Sequence, residues 1–191
     1  LIGSPAALTA TATAQDALCN GAANGSIVIS ATGGIAPYTG TGNYSGISAG
    51  SYNYTVTDAN GCNTSVTAII NEPFDLNVSE THTQIACNGG STGSASIFAS
   101  GGTAPYSGTG SFTGLAIGPH DFTVSDANGC QKTITVNITQ ATSLTASETH
   151  TDATCFGTNN GTAVITASGG TGPYSGTGSY ANLGAGNYNY T

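Results

Sequence analysis

Basic side chains are all but missing from this chain: among 191 residues, Lys132 is the only Lys or Arg. Charged residues of either sign make up 5% of the sequence, and nine carboxylates leave a formal net charge of −8. A surface of that sign repels phosphate backbones and anionic lipid, so neither nucleic-acid binding nor electrostatic docking on membranes is expected. No run of 18 apolar residues occurs, so no spanning helix and no membrane insertion are expected. The opening stretch LIGSPAALTATATA lacks a basic region followed by an apolar core, and there is no initiator Met. It reads as the start of a mature product or of a fragment rather than as a signal peptide. No segment carries a 3.6-residue apolar period. Low charge accompanies disorder only when hydrophobicity is low as well. Here 38% of residues are apolar, and Val, Ile, Tyr and Thr abound, which fits pleated strands between Gly-rich turns.

The strongest positive signal is internal self-similarity. GGIAPYTGTG starts at Gly33, GGTAPYSGTG at Gly101 and GGTGPYSGTG at Gly169, a spacing of 68 residues both times. The same period relates Cys19, Cys87 and Cys155, and it relates Thr57–Cys62 (TDANGC) to Ser125–Cys130 (SDANGC).

Within each unit the apolar residues alternate. Ile27 and Ile29 share one face of a strand over Ser26–Ala31, with Ile97 and Ile165 recurring at the second position. Tyr52, Tyr54 and Val56 share a face opposite Ser51, Asn53 and Thr55. After the turn Asp58-Ala59-Asn60-Gly61, the pattern resumes in Val66, Ala68 and Ile70, matched by Ile134, Val136 and Ile138. Period-2 alternation predicts sheets with one buried and one solvated face, and the Asn-Gly pair predicts a tight hairpin. The expected class is all-β: tandem immunoglobulin-like β-sandwich repeats of about 68 residues, joined by short linkers into a semi-rigid rod. Pro73, just after a strand, marks the first boundary. The predicted divisions are 1–7 (the end of a preceding repeat or an N-terminal strand), 8–73, 74–141 and 142–191.

The array has a phase. Leu1 aligns with Ile69, near the end of a final strand, and Thr191 aligns with Thr55. The third unit thus lacks a counterpart of Val56–Ala68, and a sandwich without its last strand exposes a sheet edge and an apolar groove. Two readings compete: a window on a longer array, or a gap filled by a strand from another subunit.

Cys62 follows Cys19 by 43 positions and Cys130 follows Cys87 by the same 43. The simplest connectivity is therefore Cys19–Cys62 and Cys87–Cys130 within units, with the partner of Cys155 beyond the last residue. Such a bridge, closing a loop of about 44 residues, is worth roughly 4 kcal/mol in the chain-entropy model. Zinc is the rival reading, but no C-x-x-C accompanies these cysteines. Disulfides place the chain outside a reducing cytosol.

The search for chemistry returns little. Glu80 and His82, like Glu148 and His150, lie at i and i+2 and would share a strand face. The first unit has Ala12 and Ala14 there, so the pair reads as polar decoration. His120 replaces Tyr52 and reads as a half-buried ring. No nucleophile sits in a G-x-S-x-G or Cys–His framework, and the Gly-Thr-Gly segments lack the Lys of a phosphate loop. No catalytic residue and no cofactor are assigned. Asp58 and Asp126, with Asn60 and Asn128 beside them, are weak calcium candidates. The competing reading has each Asp capping its own turn. Glu72 and Asp75 near the first boundary leave calcium between units open. Asn-x-Ser/Thr acceptor sequons occur at Asn24, Asn43, Asn53, Asn63, Asn77, Asn137, Asn160 and Asn189, and Asn53, Asn63, Asn137 and Asn189 have outward strand parity.

These residues resemble a known family. Cys19-Asn20-Gly21, Gly33–Tyr38, Ala49–Tyr54 and Val56–Cys62 follow the order of the SprB-type repeat, and they recur at Cys87–Gly89, Gly101–Tyr106 and Val124–Cys130. The resemblance covers nearly the whole chain. A Trp usual a few residues after Pro-Tyr is replaced by Gly40-Thr41-Gly42. Repeats of this type occur in large secreted surface proteins of Bacteroidota, including gliding-motility adhesins. The resemblance implies an immunoglobulin-like fold, secretion and a stalk or adhesive role at the cell surface.

The leading expectation is a structural or adhesive repeat protein of an extracellular fibre, not an enzyme, with copies of itself as partners. A pilus-like filament subunit that polymerises by strand complementation is the second. A carbohydrate-binding module is the third, using Tyr44, Phe112 and Tyr180 as exposed aromatics on surface glycans.

Overall fold

A computed structural model describes residues 3–191. Thirteen strands and no helix occur among them. The expected strand end at Leu1–Ile2 lies outside the described residues, and residues 3–8 form no strand.

In the first repeat, β1 (Thr9–Gln15), β2 (Gly25–Thr32) and β3 (Gly42–Ile47) make a three-stranded antiparallel sheet in that order. β4 (Gly50–Thr57) and β5 (Asn63–Ile70) form a separate hairpin in register Val56↔Thr64 and Tyr52↔Ala68. The alternation legible in the sequence sets which faces meet. Ile27 and Ile29 of β2 pack with Val56 of β4 and Ala68 and Ile70 of β5, and Ala17 completes the core. Ile27 and Val56 are fully buried. Burying each large side chain contributes about 1.5–3 kcal/mol, so this small core depends on every one of them. The architecture is a two-sheet sandwich of five strands, fewer than the seven of a constant-type immunoglobulin domain.

The second repeat uses the same plan. β6 (Asn77–Thr83), β7 (Gly93–Ser100) and β8 (Gly110–Leu115) form one sheet, and β9 (Gly118–Ser125) pairs with β10 (Gln131–Ile138). The third repeat has β11 (Thr145–Thr151), β12 (Gly161–Ser168) and β13 (Gly178–Leu183). Among the described residues β13 is the last strand.

Contacts divide the chain into two compact units, and the division crosses the second repeat. The first unit holds residues 1–79, 98–109 and 123–134; the second holds 80–97, 110–122 and 135–191.

One turn recurs in all three repeats. Gly33, Gly101 and Gly169 have φ of 75°, 72° and 75°, in the left-handed region that only Gly adopts freely. A Cβ there would also run into the carbonyl oxygen of Ala7, Asp75 or Ser143. The next residue docks on the same linker: Gly34 N–H donates to Ala6 O, Gly102 to Phe74 O and Gly170 to Thr142 O, each at 2.8 Å. The Pro-Tyr that follows is part of the same device. Ala36-Pro37, Ala104-Pro105 and Gly172-Pro173 are cis, and the hydroxyls of Tyr38, Tyr106 and Tyr174 donate to the carbonyls of Gly33, Gly101 and Gly169.

Candidate functional site: repeat junctions and an open groove

The D-A-N-G-C turn is built around its aspartate. Asp58 Oδ1 accepts the N–H of Asn60 and of Cys62, each at 2.9 Å, and Oδ2 accepts the N–H of Ile35 at 3.0 Å. Asp126 repeats this with Asn128, Cys130 and Thr103, all at 2.9 Å. The carboxylate thereby ties the hairpin turn to the Gly-Gly turn of its own repeat. The Ile35 N–H is the strongest influence on Asp58; burial opposes it, the N–H groups of Cys62 and Asn60 add to it, and the pKa falls below the ordinary value. At Asp126 burial is the largest single influence and pushes upward, but the amides of Thr103, Cys130, Asn128 and Gly129 outweigh it and the pKa is again lowered. These carboxylates face amide hydrogens, the reverse of a cation's environment. Among the described residues no group of three or more His, Cys, Asp and Glu side chains is arranged to hold a metal ion.

The boundary carboxylates are engaged too. Glu72 accepts from Asn20 Nδ2 at 3.2 Å and from the Gly21 N–H at 2.6 Å, which holds the Cys-Asn-Gly turn onto the end of β5. Asp75 pairs with Lys132 Nζ at 3.0 Å, an exposed contact of little energetic weight. In the second repeat Gln140 replaces Glu72 and accepts from the Gly89 N–H at 2.9 Å, with Asn88 Nδ2 on Ala141 O.

The disulfide is where the structure corrects the sequence. Cys19 is bonded to Cys130 of the following repeat, 111 residues away with a Cα separation of 5.8 Å. Neither Cys19–Cys62 nor Cys87–Cys130 forms; Cys62, Cys87 and Cys155 are free and exposed. The reason is the length of β5. The Ala17 N–H donates to Asn71 O, which places the Cys-Asn-Gly turn at the far end of that strand, whereas Cys62 precedes its first residue. Eight residues of strand span roughly 26 Å, and a disulfide needs its Cα atoms within about 7 Å. The same layout brings Cys19 to the D-A-N-G-C turn of the next repeat. Asn128 Nδ2 completes that contact, donating to Leu18 O at 2.8 Å and to Thr103 Oγ1 at 3.1 Å. A cavity of about 190 Å³ lies beside it, lined by Cys19, Phe74, Leu76, Cys130 and Lys132.

Sequence reasoning missed Leu18 and Asn128 as junction residues. Their signal was present: a separation of 111 is one period more than 43, so both connectivities obey the repeat equally.

The aromatic rings offered for sugar stacking are turned inward. Tyr44 packs on Tyr54, Phe112 on Phe122 and Tyr180 on Tyr190, with centroids 4.6, 4.5 and 4.4 Å apart, and all six rings are half-buried. In the first two repeats this is hairpin-to-sheet packing, and in the third Tyr180 packs on Tyr190 of the segment after β13, so none of the three rings is a free platform. His120 is half-buried, and its Nε2 lies 2.8 Å from Ala116 O, the place where the Tyr52 hydroxyl meets Ser48 O at 2.9 Å. His82 pairs with Glu80 at 2.9 Å and His150 with Glu148 at 3.1 Å, both on strand surfaces. All eight sequon asparagines are exposed, although Asn24 and Asn160 also cap turns through Oδ1, on Leu18 N–H and Thr154 N–H.

Among the described residues no hairpin covers the sheet of the third repeat. A groove of about 890 Å³ opens there, lined among others by Ala163, Ile165, Leu183, Tyr188 and Tyr190. The Tyr190 hydroxyl is buried in it without a partner.

Comparison with known families agrees with this geometry. The SprB repeat family matches three times, at residues 11–39, 79–107 and 147–175, each match running from the first strand of a repeat through its Gly-Gly and Pro-Tyr turns. No curated protein and no solved structure matches the chain. The family is a structural repeat of secreted, adhesin-type surface proteins rather than of enzymes. Three in-phase matches on an all-β tandem architecture lead to one conclusion: the chain carries three tandem β repeats, each containing a stretch that matches the SprB repeat.

Proposed function

We propose that the chain is a non-enzymatic segment of a bacterial extracellular surface fibre, in which successive repeats form a stalk or adhesive shaft. The observation that carries this reading is the covalent junction between repeats. A disulfide from one repeat to the next contributes nothing to a single module's core but resists separation of neighbours under tension. The exposed sequons fit the same role. Immunogold labelling of intact cells tests it. Gold along surface fibres, removed by protease treatment of whole cells, is the expected result. Signal only in permeabilised cells, with all five cysteines reduced, would overturn the reading.

A second reading, a filament subunit that polymerises by strand complementation, rests on the groove of the third repeat. A peptide carrying the sequence of Gly118–Gln140 should occupy that groove and block assembly. Filaments forming undiminished in its presence would sink the idea.

A further inference from the structure

The junction between the first two repeats, lying wholly in the first unit, uses three points of contact for the D-A-N-G-C turn. The Thr103 N–H meets the aspartate, Leu18 O and Thr103 Oγ1 share the Asn128 amide, and Cys19 bonds the cysteine. One period later, inside the second unit, the same three points stand ready. Thr171 replaces Thr103, Ala86 replaces Leu18 and Cys87 replaces Cys19. Thr171 Oγ1 lies 3.5 Å from Ala86 O, so the two atoms that the Asn128 amide bridges in the first junction are already adjacent in the second. The Cys87 turn is also folded like its counterpart: the Gly90 N–H donates to Cys87 O at 3.2 Å, as Ala22 does to Cys19 O at 3.1 Å. A Cβ on Gly34 or Gly102 would meet Asp58 or Asp126 at 2.7 Å, whereas at Gly170 the nearest atoms belong to Leu144.

We propose that Cys87 is a cross-linking site for the cysteine of a D-A-N-G-C turn, carried by the β-hairpin that fills the groove of the third repeat. The inference rests on the repeat-array reading only in requiring such a hairpin. Recognition is by side-chain type: aspartate to the Thr171 N–H, asparagine to Ala86 O and Thr171 Oγ1, cysteine to the Cys87 sulfur. Cys62, exposed and free in its own D-A-N-G-C turn, presents the complementary half of the same contact. Every junction then carries one staple between repeats, and a unit with a free Cys-Asn-Gly end receives the turn of the next in a head-to-tail, heterologous manner.

The bond forms by thiol–disulfide exchange with a small-molecule disulfide RSSR as oxidant. The Cys87 thiolate attacks one sulfur of RSSR and expels RS⁻. The turn's thiolate then attacks the Cys87 sulfur of the mixed disulfide and expels the second RS⁻. Two protein thiols and RSSR become one protein disulfide and two RSH.

The test continues the chain past Thr191 with the sequence of Val124–Gln140, in register because Thr191 aligns with Thr123, so that a new cysteine falls 111 residues after Cys87. The protein is refolded in a glutathione buffer, alkylated and mapped by mass spectrometry, while amide exchange at Ile165 reports whether the hairpin docks. The expected outcome is a bond from Cys87 to the new cysteine. Free thiols then fall to two, Cys62 and Cys155, despite the added residue. Replacing the new turn's asparagine with Ala should slow formation of this bond about tenfold. A docked hairpin whose cysteine stays free, or bonds Cys155 as readily, overturns the proposal and leaves the array reading intact. An undocked hairpin with no bond overturns both.

Discussion

The first and third repeats share a sheet, a Gly-Gly turn and a Pro-Tyr clamp, yet they differ in what the sheet buries. Ile29 in the first repeat is 2% exposed, while its counterpart Ile165 is only half-buried, and every residue of β11 is exposed. In β1, Ala10 and Ala12 pack against the core, and their counterparts in β11 are Ala146 and Glu148. The difference is the β4–β5 hairpin, which supplies Val56, Ala68 and Ile70 as the other half of the sandwich. Sheet formation is thus settled by local pattern and turn chemistry, and core burial by a second layer that need not be contiguous with the first.

The sharpest way to break this comparison is to truncate the shared isoleucine in each repeat. Ile29→Ala should destabilise the first repeat by about 2–5 kcal/mol, because it removes buried methyl groups and leaves a cavity under the hairpin. Ile165→Ala should cost less than half of that. Amide-exchange protection of β2 and β12 measures the two losses separately, and equal losses would contradict the account. Next in size is the staple. Cys19→Ser should lower protection around the Asp126 turn, with a cost of about 2–4 kcal/mol typical of a lost disulfide. Protection of β12 and β13 should be unchanged.

Acid should separate the repeats by their clamps. A carboxyl group whose pKa is depressed on folding adds stability above its unfolded pKa, about 3.9, and that stability is lost as pH falls through the lower folded value. Asp58 and Asp126 are such groups. Below about pH 4, the D-A-N-G-C turns of the first two repeats should therefore lose protection. Asp58→Asn should flatten that pH response in the first repeat alone, as read by exchange at Asn60 and Cys62. The smallest effect belongs to His120→Tyr. It restores the hydroxyl-to-carbonyl contact made by Tyr52, and it should change stability by no more than about 0.5 kcal/mol in a thermal melt.

Much of this was legible in the residues. The alternation of Tyr52, Tyr54 and Val56 against Ser51, Asn53 and Thr55 predicts which face of β4 is buried, because side chains on a strand can only point two ways. The 68-residue period located three repeats and their turns. The roles of Tyr44, Phe112 and Tyr180 were not legible, since an aromatic beside a Gly-rich loop serves a core pair or an exposed platform with the same neighbours in sequence. Glu72 and Asp75 were equally ambiguous: acidic residues at a boundary fit cation ligands as well as they fit the turn cap and ion pair that they form.

The sequence alone determined the strand class, the repeat length, the buried parity of β2, β4, β5 and β10 and the resemblance to the SprB repeat, all of which depend on spacing along one chain. Only the tertiary structure decided which cysteines meet. Pairing depends on which ends of the strands lie together, and a hairpin turn and a Cys-Asn-Gly turn at opposite ends of β5 cannot approach within one repeat. A period shows that the cysteines are equivalent, but it carries no direction across the sandwich, so it cannot tell a bond within a repeat from a bond to the next.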